Sequence, residues 1–127
     1  MSYKNLEVWK ISESLVIRIH KMTINDLPGF EMYETGSQIR RSMKSVKANI
    51  VEGYGRKQSK KEYLQFLKIA LASNIETMDH LETLYKTGSL NDSDLYQALV
   101  EDLDHLGKAL RRFMTAVQND YRPSHPK

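Results

Sequence analysis

Residues 38–61, QIRRSMKSVKANIVEGYGRKQSKK, decide how this chain folds and where its function is sought. Ile39, Met43, Val46 and Ile50, continued upstream by Met32, recur at spacings of three, four and seven. That period places them in one stripe of an amphipathic α-helix. At about 100° per residue, Arg40, Arg41, Lys44 and Lys47 spread over roughly 80–200° from the stripe. Gln38, Ser42, Ser45, Asn49 and Gly53 fall on the other flank, where their small size would let a second helix approach closely. The segment thus predicts a helix with three faces, apolar, basic and small-polar. Gly53-Tyr54-Gly55 is expected to end it, because glycine accepts the left-handed C-terminal position without steric cost. The stretch carries eight cations (Arg40, Arg41, Lys44, Lys47, Arg56, Lys57, Lys60, Lys61) against the single acid Glu52. A net +7 here, in a chain of only +3, leaves −4 for everything else.

Working outward, Ser59 with Glu62 three residues on predicts a capping box and the start of a third helix. It continues to about Lys86, with Leu64, Leu67, Leu71, Asn74, Met78, Leu81 and Tyr85 as an alternating three-and-four seam. Asn74 is the polar member, the residue type that sets register at such a position. Thr87-Gly88-Ser89 breaks that helix. A fourth opens at Asn91 or Ser93 with Asp92 and Asp94 near its start, where the helix dipole favours acids. Leu95, Leu99, Leu103, Leu106, Leu110, Phe113 and Val117 form its stripe, and residues 91–105 hold five acids with no Lys or Arg. Upstream, Asn5 is the expected N-cap of a first helix running to about Met22, whose face is Leu6, Trp9, Leu15, Val16, Ile19 and Met22. Pro28-Gly29 breaks the chain before the second helix, expected from Glu31. Four helices (about 5–22, 31–53, 60–86 and 92–119) joined by short loops predict an all-α, antiparallel up-down four-helix bundle in one domain, residues 1–119. Residues 120–127, with two prolines and no apolar pattern, are expected to form a disordered tail.

Composition sets bounds. A chain of 127 residues suits one domain with a real core. It has no cysteine, so thiolate metal sites and disulfides are excluded, which agrees with a cytoplasmic location. Charges at Lys4, Glu7, Lys10, Glu13 and Arg18 interrupt any N-terminal apolar run, so no signal peptide is expected. The longest uncharged runs, residues 69–75 and 113–119, are far below the ~20 residues that span a bilayer. A pI near 9.1 favours an anionic partner, and the clustering says more than the total.

The residues Gln38, Arg40, Arg41, Ser45, Asn49, Ile50, Glu52, Gly53, Gly55 and Arg56 stand in a Q-x-R-R…S-x-x-x-N-I-x-E-G-x-G-R arrangement. This resembles the bacterial four-helix-bundle family encoded in intervening sequences of 23S ribosomal RNA genes. Leu6 and Trp9 resemble that family's first helix, Pro28 with Glu31 its first loop, and Leu67–Glu76, with Ser73 and Glu76 as S-x-x-E, its third helix. Lys44 and Lys47 depart from the pattern, which has apolar or small residues there, so this member is more basic. The resemblance implies no catalytic activity. It also implies kinship with accessory proteins of diversity-generating retroelements, ring-like pentamers that bind nucleic acid and a reverse transcriptase.

The basic arc has two readings. Like charges at i, i+3 and i, i+4 cost about 0.2–0.5 kcal/mol per pair, a repulsion that a phosphate backbone would relieve. Tyr54 and Tyr63 could then stack on unpaired bases. Alternatively, the arc is solvated, or docks on the acidic fourth helix of a neighbouring subunit. Gln38, Ser45, Asn49, Glu52, Gly53, Ser73 and Glu76 read as packing or subunit-contact residues, with Glu52 pairing Arg56 and Asn49 satisfied by a neighbouring helix. Di-iron bundles require two Glu-x-x-His motifs. The chain offers only Asp102-x-x-His105 and Glu76 with His80, while His20 and His125 have no carboxylate at useful spacing, so no metal or other cofactor is expected. Gly53–Lys57 lacks phosphate-loop spacing, and no nucleophile–base set is evident. The expectation is therefore a non-enzymatic homo-oligomer that binds RNA or DNA through Arg40, Arg41, Lys44, Lys47, Arg56, Lys57, Lys60 and Lys61, with a possible partner protein and no membrane. The alternative is an assembly module.

Overall fold

The computed structural model describes residues 2–119, so the expected tail at 120–127 and His125 lie outside the described residues. Four helices, α1 (Glu7–Asn25), α2 (Thr35–Gly55), α3 (Lys60–Lys86) and α4 (Ser93–Asn119), form the molecule, with 3-10 turns at Tyr3–Asn5 and Gly29–Tyr33. Side-chain pairings fix their directions. Glu13 meets Lys47 and Thr23 meets Arg40. Ser42 meets Thr77 and Ser45 meets Ser73, while Tyr63 meets Phe113 and Asn74 meets Leu103. In each case one number rises as the other falls, so neighbours run antiparallel. Arg18–Asp102 joins α1 to α4 and closes the ring of four.

The core follows the stripes read from sequence: Leu15, Ile19, Met22, Ile39, Met43, Val46, Ile50, Leu67, Leu81, Leu99, Leu103, Leu106 and Leu110 are all buried. Burying each large aliphatic side chain contributes about 1.5–3 kcal/mol before entropy is counted. Val8, Leu84, Leu90 and Ala109 join it, whereas Leu6, Trp9, Val16, Leu95, Phe113 and Val117 are only partly buried around it.

The third helix is turned from its expected orientation. Its buried line is Tyr63, Leu67, Ala70, Asn74, Thr77, Leu81 and Leu84, with Ser73 beside it. Leu64, Leu71 and Met78 sit half-buried and Tyr85 is exposed. The cause is α2's small-polar face, which accepts only small partners at close range. Ser42 Oγ and Thr77 Oγ1 lie 2.7 Å apart, and Ser45 Oγ and Ser73 Oγ 2.9 Å. Ser42 and Thr77 also bond carbonyls of their own helices, so what fixes the rotation of α3 is the close approach that only these short side chains allow.

Helix ends differ from expectation in physically readable ways. Leu6, not Asn5, precedes α1, because Ser2 caps the Tyr3–Asn5 turn instead, and α1 continues past Met22 to Asn25. Glu31 belongs to a separate 3-10 turn, as does Met32 of the expected stripe, and α2 begins at Thr35. Ser59 does cap α3, accepting from the Glu62 N–H. The Glu62 carboxylate does not close the box, since it accepts from Arg56 instead. At α4 the cap is Asp92, whose carboxylate accepts from the Leu95 N–H at 3.0 Å. The second helix runs through Gly53 to Gly55. Gly53 is a packing glycine: a Cβ there would lie 3.1 Å from Phe66 Cβ and 3.3 Å from Tyr63 Cδ1. Among described glycines the left-handed conformation occurs at Gly88 alone (φ 83°), just beyond α3.

Candidate nucleic-acid interface

Folding divides the basic stretch. Arg40 and Arg56 are sixteen residues apart on one helical rod, about 24 Å at 1.5 Å per residue. They therefore belong to opposite ends of the bundle.

At the upper end Arg40 is committed to the fold. Its guanidinium donates to Thr23 Oγ1 at 2.9 Å and to the Met32 carbonyl at 2.8 Å. It clamps the Gly29–Tyr33 turn to α1 and α2, so its guanidinium has partners within the fold. Lys47 is likewise engaged, donating to Glu13 on α1 at 2.7 Å. Arg41 and Lys44 point outward. Arg41 makes only a 3.5 Å contact with Ser37, and Lys44 has no ion-pair partner among the described residues.

At the lower end Arg56 bridges Glu52 at 2.8 Å and Glu62 at 3.1 Å and covers the Phe66 ring. Those hydrogen bonds, Glu52 first, raise its already high pKa. Lys57 lies over the Tyr54 ring, its Nζ 4.0 Å from the centroid. Lys60 approaches the Gln118 carbonyl at 3.4 Å. Lys61 and Lys68 are exposed without an ion-pair partner among the described residues, as are Arg111 and Arg112 on α4. Tyr63 is unavailable for stacking. It is buried edge-on to Phe113, and desolvation pushes its phenol up to about 12.

Arg111 and Arg112 were missed in the sequence because they lie fifty or more residues beyond the basic stretch, and Lys68 because it stands alone, seven residues past Lys61. The up-down topology brings residues 2–15, 46–72 and 107–119 to one end, where eleven Lys or Arg face four acids, a net +7. Residues 16–45 and 73–106 form the other end, with six cations and eleven acids, a net −5. Charge is thus separated lengthwise.

The family-like residues converge elsewhere. Gln38, Arg41, Ser42, Ser45 and Glu76 line an open cleft of about 260 Å³ between α2 and α3. Ser73 and Asn49 extend this polar seam through Ser45. The Asn49 amide donates to the Ser45 carbonyl at 2.8 Å and its Oγ at 3.1 Å, so its partner is its own helix and not a neighbour. Glu76 contacts His80 at 3.2 Å. Among the described residues no three His, Cys, Asp or Glu side chains converge to hold a metal, and Asp102 is taken by Arg18. No described helix is long and apolar enough to cross a membrane.

Fold and surface together define an all-α four-helix bundle with a solid core, a polar α2–α3 seam and a lengthwise division of charge. The chain belongs to the 23S rRNA-intervening sequence protein family, whose pattern matches residues 4–112. It is also similar to the crystal structure of a protein of unknown function from the S23 ribosomal protein family of Bacteroides thetaiotaomicron. That likeness has 28% identity, covers 85% of this chain and 95% of the other, and has a TM-score of 0.74. A search of curated proteins finds no match.

Proposed function

We propose that this protein is a non-catalytic, homo-oligomeric bundle that binds RNA or DNA through the phosphate backbone. Its contact surface is the cationic end formed by the α2–α3 turn, the start of α3 and the end of α4. The observation that supports this is that the cationic half of the bundle holds Lys61, Lys68, Arg111 and Arg112, all exposed and lacking an acid partner among the described residues. Lys57, over the Tyr54 ring in the α2–α3 turn, is also exposed. Unlike Arg40, Lys47 and Arg56, the cations Lys61, Lys68, Arg111 and Arg112 form no side-chain hydrogen bond or ion pair among the described residues. Backbone phosphates would remove their mutual repulsion and release counterions from the nucleic acid.

The test is binding of fluorescent duplex DNA and structured RNA at several salt concentrations. With about six cations engaged, log K against log[salt] has a slope near −5. Replacing Lys57, Lys61, Lys68, Arg111 and Arg112 by Gln should flatten the slope and abolish measurable binding while leaving the helix signal intact. An affinity that is absent, or indifferent to salt, refutes the reading.

A second reading, an assembly module, is favoured by the opposite charges of the two ends. In it the cationic end docks on the acidic end of a neighbouring copy. The same five-fold variant separates the two, since it dissociates the oligomer only in the second case. A five-membered ring, implied by the resemblance, belongs to this proposal and is read from oligomer mass.

A further inference from the structure

The acidic end carries a feature that a simple helix connection does not require. Nine residues, 26–34, join α1 to α2, although about two to five residues suffice for antiparallel neighbours. Within them the Gly29–Tyr33 turn displays Phe30 at 59% and Tyr33 at 89% exposure. Positions i and i+3 of a 3-10 turn eclipse one another, so the two rings share a face. Ile24, 51% exposed, ends α1 immediately beforehand.

This apolar display is held by buried polar bonds. The Glu31 carboxylate, in a residue only 5% exposed, accepts from Ser89 Oγ at 2.6 Å and from the Thr35 N–H at 3.1 Å. It thereby ties the turn to the α3–α4 connection. Arg40 holds the Met32 carbonyl from the other side. A flexible loop needs no such anchoring. A rigid platform that bears aromatic side chains does, since a pre-formed surface loses less entropy when a partner binds.

We infer that this platform is a docking site for a cationic protein segment bearing apolar side chains. The charge around it selects the partner. Asp26 and Glu34 bracket the turn, with no ion-pair partner among the described residues, and Asp92 and Asp94 lie on the α4 start that shares this end. Their field repels nucleic acid and draws basic segments. A second copy is a poor occupant. Among the described residues its cationic half exposes one large apolar side chain, Ile69, well along α3 from the turn, and so offers nothing to cover Phe30 and Tyr33. The inference stands independently of the nucleic-acid reading, because it concerns the opposite end.

The test pans a random-peptide display library against the intact protein, then measures the enriched peptides by fluorescence anisotropy. Enriched peptides should be net basic with aromatic or aliphatic residues. Phe30→Ser with Tyr33→Ser should weaken them by about tenfold or more, and Asp26→Asn with Glu34→Gln should reduce the salt dependence. The cationic-end variant should bind as the parent does. Both pairs replace exposed side chains, and circular dichroism verifies that the helices persist. Enriched peptides that are acidic or neutral, or that bind the Phe30/Tyr33 variant equally well, overturn the proposal. A drop in oligomer mass for that variant overturns it too, by making a second copy the occupant.

Discussion

The two ends of the bundle share one apolar core yet use their polar groups in opposite ways. At the acidic end, ionic side chains are drawn inward. Glu31 links two loops, and Arg40 clamps a turn and a helix end. At the cationic end the four-residue α2–α3 turn is held by Arg56, which bridges Glu52 and Glu62, while Lys61 and Lys68 on α3 face solvent without an acid partner among the described residues. A charge with two fixed hydrogen-bond acceptors serves the fold, whereas a charge with none is available to a partner. That contrast separates residues which composition alone had pooled.

Breaking the acidic end should cost the most stability. A Cβ on Gly36 would lie 2.3 Å from the Glu31 carbonyl oxygen, a backbone atom that cannot move without the turn. Gly36→Ala is expected to cost about 3 kcal/mol, at the upper end of overpacking effects. Urea unfolding measures this. A loss below about 1 kcal/mol would show that the turn is not fixed in place.

Next comes the contrast among cations. Arg40→Leu strands the Met32 carbonyl, although Thr23 keeps its bond to the His20 carbonyl, and should cost about 2 kcal/mol. Lys44→Gln or Lys61→Gln should change stability by less than about 0.5 kcal/mol. Lys47→Gln falls between them, below about 1 kcal/mol, because its pair with Glu13 is a third exposed and screened by solvent. Equal losses at Arg40 and Lys44 would erase the distinction between structural and available charge.

The effect that vanishes near neutral pH concerns the cationic end's buried aromatic pair. Unfolded Tyr63 ionises near 10.0, while the folded phenol keeps its proton to about 12. The folded state therefore holds more protons within that window, and stability falls as pH rises through it. Tyr63→Phe should remove that part of the decline. Denaturant midpoints measured below and within the window report it, and an unchanged slope would mean that the phenol is hydrated.

Much of this was legible in the sequence. The α3 bounds, the Ser59 cap and most core positions follow from local rules. Period-3.6 patterning and capping act within a few residues, so the chain itself displays them. The α3 rotation was not legible, because Leu64, Leu71 and Met78 satisfy an apolar seam as well as the true line does. What decided the matter was the close approach of short side chains across to α2, a long-range condition. Glu31 was misread for a similar reason. An acid ahead of a helix is an ordinary N-terminal signal, and its bond to Ser89, fifty-eight residues away, has no local signature.

By itself the sequence determined four amphipathic helices, their order and the bundle that short connections impose. It also determined which residues bear charge. Only the tertiary structure decided what each charge is for. It folded one basic stretch across two ends and turned Arg40 and Lys47 inward. It carried Arg111 and Arg112 from the far end of the chain into the same half of the bundle as the α2–α3 turn. The reason is physical: hydrophobic periodicity is a property of neighbours along the chain, whereas electrostatic role depends on neighbours in space.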